Sequence, residues 1–172
     1  LTMSKQVAAL SRSCFYRLRQ LRAVRNSLTI GAAKALVDAF ISSRLDYCNS
    51  LLAGVGEGLL SKLQSVQNAA ARFITRTRKF EHISPVLRDL HWLPIRQRIN
   101  FKVAMLVYKS LHGAAPSYIA DDCILTSTVS GRRNLRSADT CMLMVPRVQT
   151  KYGSRYFAVY GPAVWNSLPD DL

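Results

Sequence analysis

Apolar side chains recur at steps of three and four along residues 4–24, where Val7, Leu10, Cys14, Leu18 and Leu21 form a stripe that continues to Leu28. That period is helical and predicts an amphipathic helix with Lys5, Arg12 and Arg19 gathered on its opposite face. Thr29 supplies a hydroxyl cap for a second predicted helix over 31–47, with Ala32, Leu36, Ala39, Phe40 and Ser43 as its packing face. Gly54, Gly56 and Gly58 punctuate the next turn. A third helix is predicted over 59–75, with Leu59, Leu63, Val66, Ala70, Phe73 and Ile74 on one side. Ala69, Ala70 and Ala71 permit another helix to approach closely there. Asn68, Arg72 and Arg76 follow at four-residue steps, a polar stripe that faces either phosphates or solvent.

Ser84-Pro85 has the form of a helix start, a hydroxyl cap with proline at the first helical position, and that short helix ends near Leu90. Pro94 opens a longer helix through His112, stopped by Gly113 and then Pro116. Phe101, Val103, Met105, Leu106, Val107 and Tyr108 make it apolar around much of its circumference, which predicts a central, well-covered helix. Arg98, Lys102 and Lys109 align along one edge. Beyond Asp122 the texture changes: residues 127–137 are polar and carry Gly131, Arg132, Arg133 and Arg136, which suits a loop. A short strand is expected over 142–148 and a last helix over 154–166, interrupted by Pro162. The expected fold class is mainly α. Residues 1–122 form the helical part, and residues 123–172 a small, loop-rich, irregular or α+β C-terminal part.

Charge sharpens this picture. The 172 residues include 24 Lys+Arg against 10 Asp+Glu, a net charge of +14. Such a field favours polyanions, nucleic acid first and an anionic membrane surface second. Residues 1–37 hold Lys5, Arg12, Arg17, Arg19, Arg22, Arg25 and Lys34 and no acid. A solvated helix face ordinarily mixes signs, so this one-sidedness points toward phosphates. No apolar run approaches the ~20 residues of a membrane span, and the N-terminal arginines break up any signal-peptide core. Leu1 is not a start methionine, which implies a longer parent chain.

Candidate chemistry is sparse. Cys14, Cys48, Cys123 and Cys141 form no CxxC and no close Cys/His pair, so reduced thiols are expected, with Cys48 as a small buried residue. His82, His91 and His112 lack metal-ligand spacing, and the HWLP sequence around His91 reads as a packed turn. Trp92 and Trp165 each stand beside Leu-Pro and read as hydrophobic anchors rather than base-stacking platforms. Tyr118-Ile119-Ala120-Asp121-Asp122 superficially resembles a polymerase metal motif. Its aromatic is one place too early and no apolar strand precedes it, so it reads as a solvent-facing acidic pair.

An ordered series of motifs resembles a known family. It begins with SCFYRLRQLRAVRNSL at residues 13–28 and continues through the tract RLDYCNSLL to YKSLHG over 44–113. LRS at 135–137 and VPR at 145–147 follow, then spaced Gly153, Arg155, Phe157 and Pro162, and finally WNSLP at 165–169. The series is similar to the C-terminal, post-palm segment of the reverse-transcriptase protein of non-LTR (LINE-type) retrotransposons of the chicken-repeat group. The resemblance covers nearly the whole chain. It implies that residues 4–75 form a helical, thumb-like bundle gripping nucleic acid by its backbone. It also implies that fingers and palm lie upstream, with the Mg²⁺-holding carboxylates of an RNA-directed DNA polymerase, and that more chain follows Leu172. No cofactor is expected in this chain and no catalytic residue. The partners implied are RNA, DNA or their hybrid, together with the upstream palm and fingers; no membrane partner is expected, and the parent element's protein is expected in the nucleus. The expected phosphate contacts are Lys5, Arg12, Arg19, Arg22, Arg72, Arg76, Arg98 and Lys102. Two alternatives stay open: a degenerate transposon fragment without independent activity, and part of a working polymerase whose catalytic residues lie upstream of residue 1.

Overall fold

The computed structural model describes residues 3–128, 141–150 and 152–169. It is mainly helical, and no strand occurs among the described residues. The chain divides into two compact units, Leu1–Arg98 and Ile99–Leu172.

The first unit is built on α1 (Met3–Val24) and α4 (Glu57–Thr75), which pack against each other, with α2 (Ile30–Val37) also against α4. Of the expected α1 stripe, Val7, Cys14 and Leu18 are buried, joined by Ser11, and Leu10 and Leu21 are half-buried at its edge. The α4 stripe is buried at Leu63, Val66, Ala70, Phe73 and Ile74, and the burial of Ala70 and Ala71 fits close helix approach. Thr29 caps α2, its Oγ1 accepting from the Ala32 N–H at 3.2 Å.

Beyond Val37 the expected single helix changes geometry. Residues Asp38–Ser42 form a π-helical turn, in which the Ser43 N–H bonds back five residues to the Asp38 carbonyl, before α3 (Ser43–Asp46) resumes. The packing face is correspondingly not the expected one. Ala33, Val37, Ile41, Ser42 and Leu45 are buried, whereas Ala32, Ala39, Phe40 and Ser43 are exposed. Helical spacing admits either set; Val37, Ile41 and Leu45 take the core, and the largest side chain, Phe40, stays at the surface. Cys48 is also a correction. It is exposed and left-handed (φ 52°) at the turn after α3, and its neighbour Asn49 is buried instead.

Helix α5 spans Ile83–Asp89 and begins one residue before Ser84, with no side-chain cap. Pro85 falls third, still within the first turn, where its missing N–H costs no helical bond. The turn after α5 closes in a Schellman arrangement: Trp92 N–H donates to Leu87 O (2.8 Å) and His91 N–H to Arg88 O (2.9 Å). His91 holds the left-handed position at φ 55° that glycine usually occupies. A polar knot then seats the next helix, as Gln64 Oε1 accepts from Ile95 N–H and buried Gln67 donates to Leu93 O. Arg96 pairs with Glu57.

Helix α6 (Ile95–Leu111) crosses the division between the units. In the second unit Ile99, Val103 and Val107 are buried, but Phe101 is 57% exposed and Met105 and Tyr108 are also exposed. The helix is thus buried along one stripe, not around its circumference; apolar composition alone does not specify how many neighbours a helix receives. Gly113 (φ 66°) ends it as expected, with Ala114 N–H on Lys109 O and Gly113 N–H on Ser110 O.

The second-unit core gathers Val107, Cys123 and Leu143 with Leu111, Leu125, Phe157 and Trp165, so residues on both sides of position 122 share one core. The strand expected over 142–148 reduces to one bridge, Leu125 to Leu143. One edge of this segment pairs with residues 124–126; on the other, the Asn166 side-chain amide takes both backbone groups of Leu143 (2.8 and 2.9 Å). A side chain in the place of a neighbouring strand propagates no ladder. Helix α7 (Ser117–Ala120) and α8 (Phe157–Trp165, with Pro162 inside) complete the unit. Trp165 anchors there as expected, its Nε1–H donating to Cys141 O. The loop expected over 127–137 lies mostly outside the described residues.

Candidate nucleic-acid interface

Helix α1 places Lys5, Arg12 and Arg19 on the face opposite Val7, Cys14 and Leu18, and Arg22 on its shoulder; all four are exposed. Among the described residues none of the four has a hydrogen-bond or ion-pair partner. Helix α4 packs against α1, and Val7, Cys14 and Leu18 are buried while Leu10 and Leu21 are half-buried. The first unit therefore supports its own basic helix.

The other expected contacts sit differently. Arg72 donates to the carbonyls of Arg78 (3.3 Å) and Glu81 (3.2 Å), bracing the loop that follows α4. Arg76 ends α4 in a left-handed conformation (φ 59°) and reaches the Arg25 carbonyl at 3.5 Å. Arg98 pairs with Asp46 at 3.2 Å. Lys102, in the second unit, is exposed. The structure thus assembles one face of free cations on α1, while Arg72, Arg76 and Arg98 already hold protein groups.

Arg25 was counted with the basic N-terminal residues, yet it is only 8% exposed. Its Nε and Nη2 donate to Phe73 O and Ile74 O, both at 2.6 Å, and Nη1 donates to Leu28 O at 3.0 Å. The guanidinium lies 5.5 Å from the centroid of the Phe73 ring. Phe73 and Ile74 belong to the last turn of α4, whose carbonyls have no intrahelical donors. A cation at that negative end of the helix is electrostatically favoured as well. Arg25 is a helix cap supplied by another helix's exit, a role that no local sequence signal announces.

Sequence reasoning also missed a seam between α1 and the π turn. Arg17 stands 6.0 Å from the Phe40 ring centroid, and one turn earlier Ser13 Oγ accepts from Arg44 Nη1 at 2.9 Å. Gln20 donates to the Tyr16 hydroxyl (3.2 Å) and accepts from Arg17 (3.4 Å), holding both side chains at this seam.

Asp121 and Asp122 follow α7 in a turn, with Asp121 N–H on Ser117 O at 2.8 Å. Among the described residues no group of three or more His, Cys, Asp or Glu is arranged to hold a metal ion. No described helix is long and apolar enough to cross a membrane. No protein-family model, no curated protein and no solved structure matches the chain.

Proposed function

We propose that the chain is a sequence-indifferent nucleic-acid-binding module, the post-palm segment of a retrotransposon reverse-transcriptase protein, which holds RNA, DNA or their hybrid through phosphates. The family assignment rests on the ordered motifs from residue 13 to residue 169. The binding reading rests on one observation: Lys5, Arg12 and Arg19 project unpartnered from a single face of α1, in a stretch of 37 residues without an acid. Cations that brace carbonyls or pair with carboxylates serve the fold. Cations presented in a row without partners attract a polyanion.

On duplex DNA, log K falls with log salt at a slope near −0.9 per phosphate contacted. Replacing Lys5, Arg12 and Arg19 together by Gln should flatten that slope by roughly 2–3 units. The loss should be alike for unrelated sequences, because phosphate contacts carry no base code. Salt titration of parent and triple variant measures this, with circular dichroism as a check on folding. An unchanged slope, or no binding by the parent at low salt, refutes the proposal.

A further inference from the structure

The α1 face is not purely cationic. Tyr16, 59% exposed, stands between Arg12 and Arg19 on the outward side of α1. Beside it, across the seam, Phe40 is 40% exposed on the π turn and Arg17 stands near its ring. The two cross-seam contacts, Ser13 with Arg44 and Arg17 with Phe40, are one helical turn apart on each partner, so the two elements run antiparallel as neighbouring rails. The result is one continuous surface on which cations (Arg12, Arg17, Arg19, Arg44) alternate with rings (Tyr16, Phe40).

Two features separate this surface from a generic basic helix. First, the rings are exposed although the core beneath them is filled by Val37, Ile41 and Leu45. The π turn inserts its extra residue at this point, and such turns are frequent at functional sites. Second, Gln20 ties the Tyr16 hydroxyl and the Arg17 guanidinium, so a ring and a cation are held before any ligand arrives. Bases inside a duplex are stacked on one another and offer no face to an aromatic side chain. Unpaired bases do, and stacking on them adds to phosphate attraction without reading sequence.

We infer that the α1–π-turn surface selects single-stranded nucleic acid, with Tyr16 and Phe40 stacking on bases while Arg12, Arg17, Arg19 and Arg44 hold the flanking phosphates. This inference rests on the binding reading above and adds to it a class of ligand. The discriminating probes are a twelve-residue oligothymidylate and an abasic oligonucleotide of equal length, which has the same phosphates and no bases. The parent chain should bind the thymidylate more tightly by about 5- to 150-fold for each ring engaged.

In the double variant Tyr16→Leu/Phe40→Leu that advantage should vanish. A Phe40→Trp variant should keep the advantage and show quenching of its indole fluorescence by the thymidylate alone. Equal binding of the two probes by the parent overturns the inference, as does a double variant that keeps the advantage. A double variant that weakens both probes equally overturns it too, since the rings would then be structural. The salt slope separates the two readings: a steep slope with equal probes leaves a phosphate-binding face without base stacking, whereas a failed slope removes both readings.

Discussion

Replacing Arg25 by Met tests how much of the first unit's stability depends on one buried cation. Methionine fills a similar volume but removes the charge and every donor. Three bonds are lost: two at 2.6 Å, from Nε and Nη2 to the last-turn carbonyls of α4, and a less buried one at 3.0 Å from Nη1 to Leu28 O. Bonds from a charged donor contribute about 1.5 kcal/mol or more each, so the two buried ones to α4 account for about 3 kcal/mol. The favourable placement of a cation at a helix C-terminus adds roughly 0.3–1 kcal/mol. Water reaching the freed carbonyls returns part of this, and removing a buried charge that has only carbonyl partners returns some desolvation cost. The expected loss is therefore about 2–4 kcal/mol, a large share of the stability of an ordinary domain. Arg25→Lys keeps the charge and one or two donors but not the planar fork, so it should fall between parent and Met variant.

The assay is urea unfolding in a Trp165→Phe background, where Trp92, in the first unit, is the fluorophore. A lowered midpoint with an unchanged slope reports stability itself. A Met variant within about 0.5 kcal/mol of the parent, the range of ordinary surface substitutions, would refute the cap argument. A Lys variant less stable than Met would show that the charge is a burden and not a cap.

Further measurements probe other elements. In the native chain Cys48 and Cys141 should react quickly with a thiol reagent and Cys14 and Cys123 slowly, because burial raises both buried thiols above the ordinary range and suppresses their thiolates. The folded state then keeps those protons longer than the unfolded chain does. Stability from this source is complete below the ordinary thiol range and is lost as pH rises through the raised folded values, which alkaline unfolding curves would register. His91→Gly should stabilise the chain by about 0.5–1 kcal/mol, since glycine adopts φ near 55° without the steric cost a side chain carries there; a drop in the thermal midpoint would show that the His91 side chain makes a contact worth more than that strain.

What the sequence made legible was local or periodic. Thr29 caps a helix because its hydroxyl acts within three residues. Gly113 ends α6 because the left-handed position belongs to the chain immediately there. The stripes of α1 and α4 were readable because a helix repeats its inward face every three or four residues. Features set by distant partners were not readable. Arg25 finds its acceptors 48 and 49 residues away, and in the sequence it is one more arginine in a basic run. Asn166 occupies the edge where a strand neighbour was expected for Leu143. The π turn shifts which side of residues 38–46 is outward, so Phe40 moves from an expected packing face to the surface that carries the candidate site. The exposed ring and its neighbouring cations come into view only once two helices are placed side by side.

The arginines show why net charge alone is a weak guide to a binding face. Arg25, Arg72, Arg76 and Arg98 hold carbonyls or a carboxylate, whereas Lys5, Arg12 and Arg19 hold nothing. A cation already committed to a helix end gains little from a phosphate, because it would exchange one acceptor for another and loosen the fold. An uncommitted cation in water gives up only its hydration and releases the counterions of the phosphate it meets. The two groups should therefore separate experimentally along opposite axes. Loss of Arg25 should change the unfolding free energy and leave the salt slope of the remaining folded protein intact. Loss of Lys5, Arg12 and Arg19 should change the slope and leave the unfolding free energy within about 0.5 kcal/mol per site. If the Arg25 variant instead flattened the slope while remaining folded, the division between structural and ligand-facing cations would fail, and the binding surface would have to include the C-terminal end of α4.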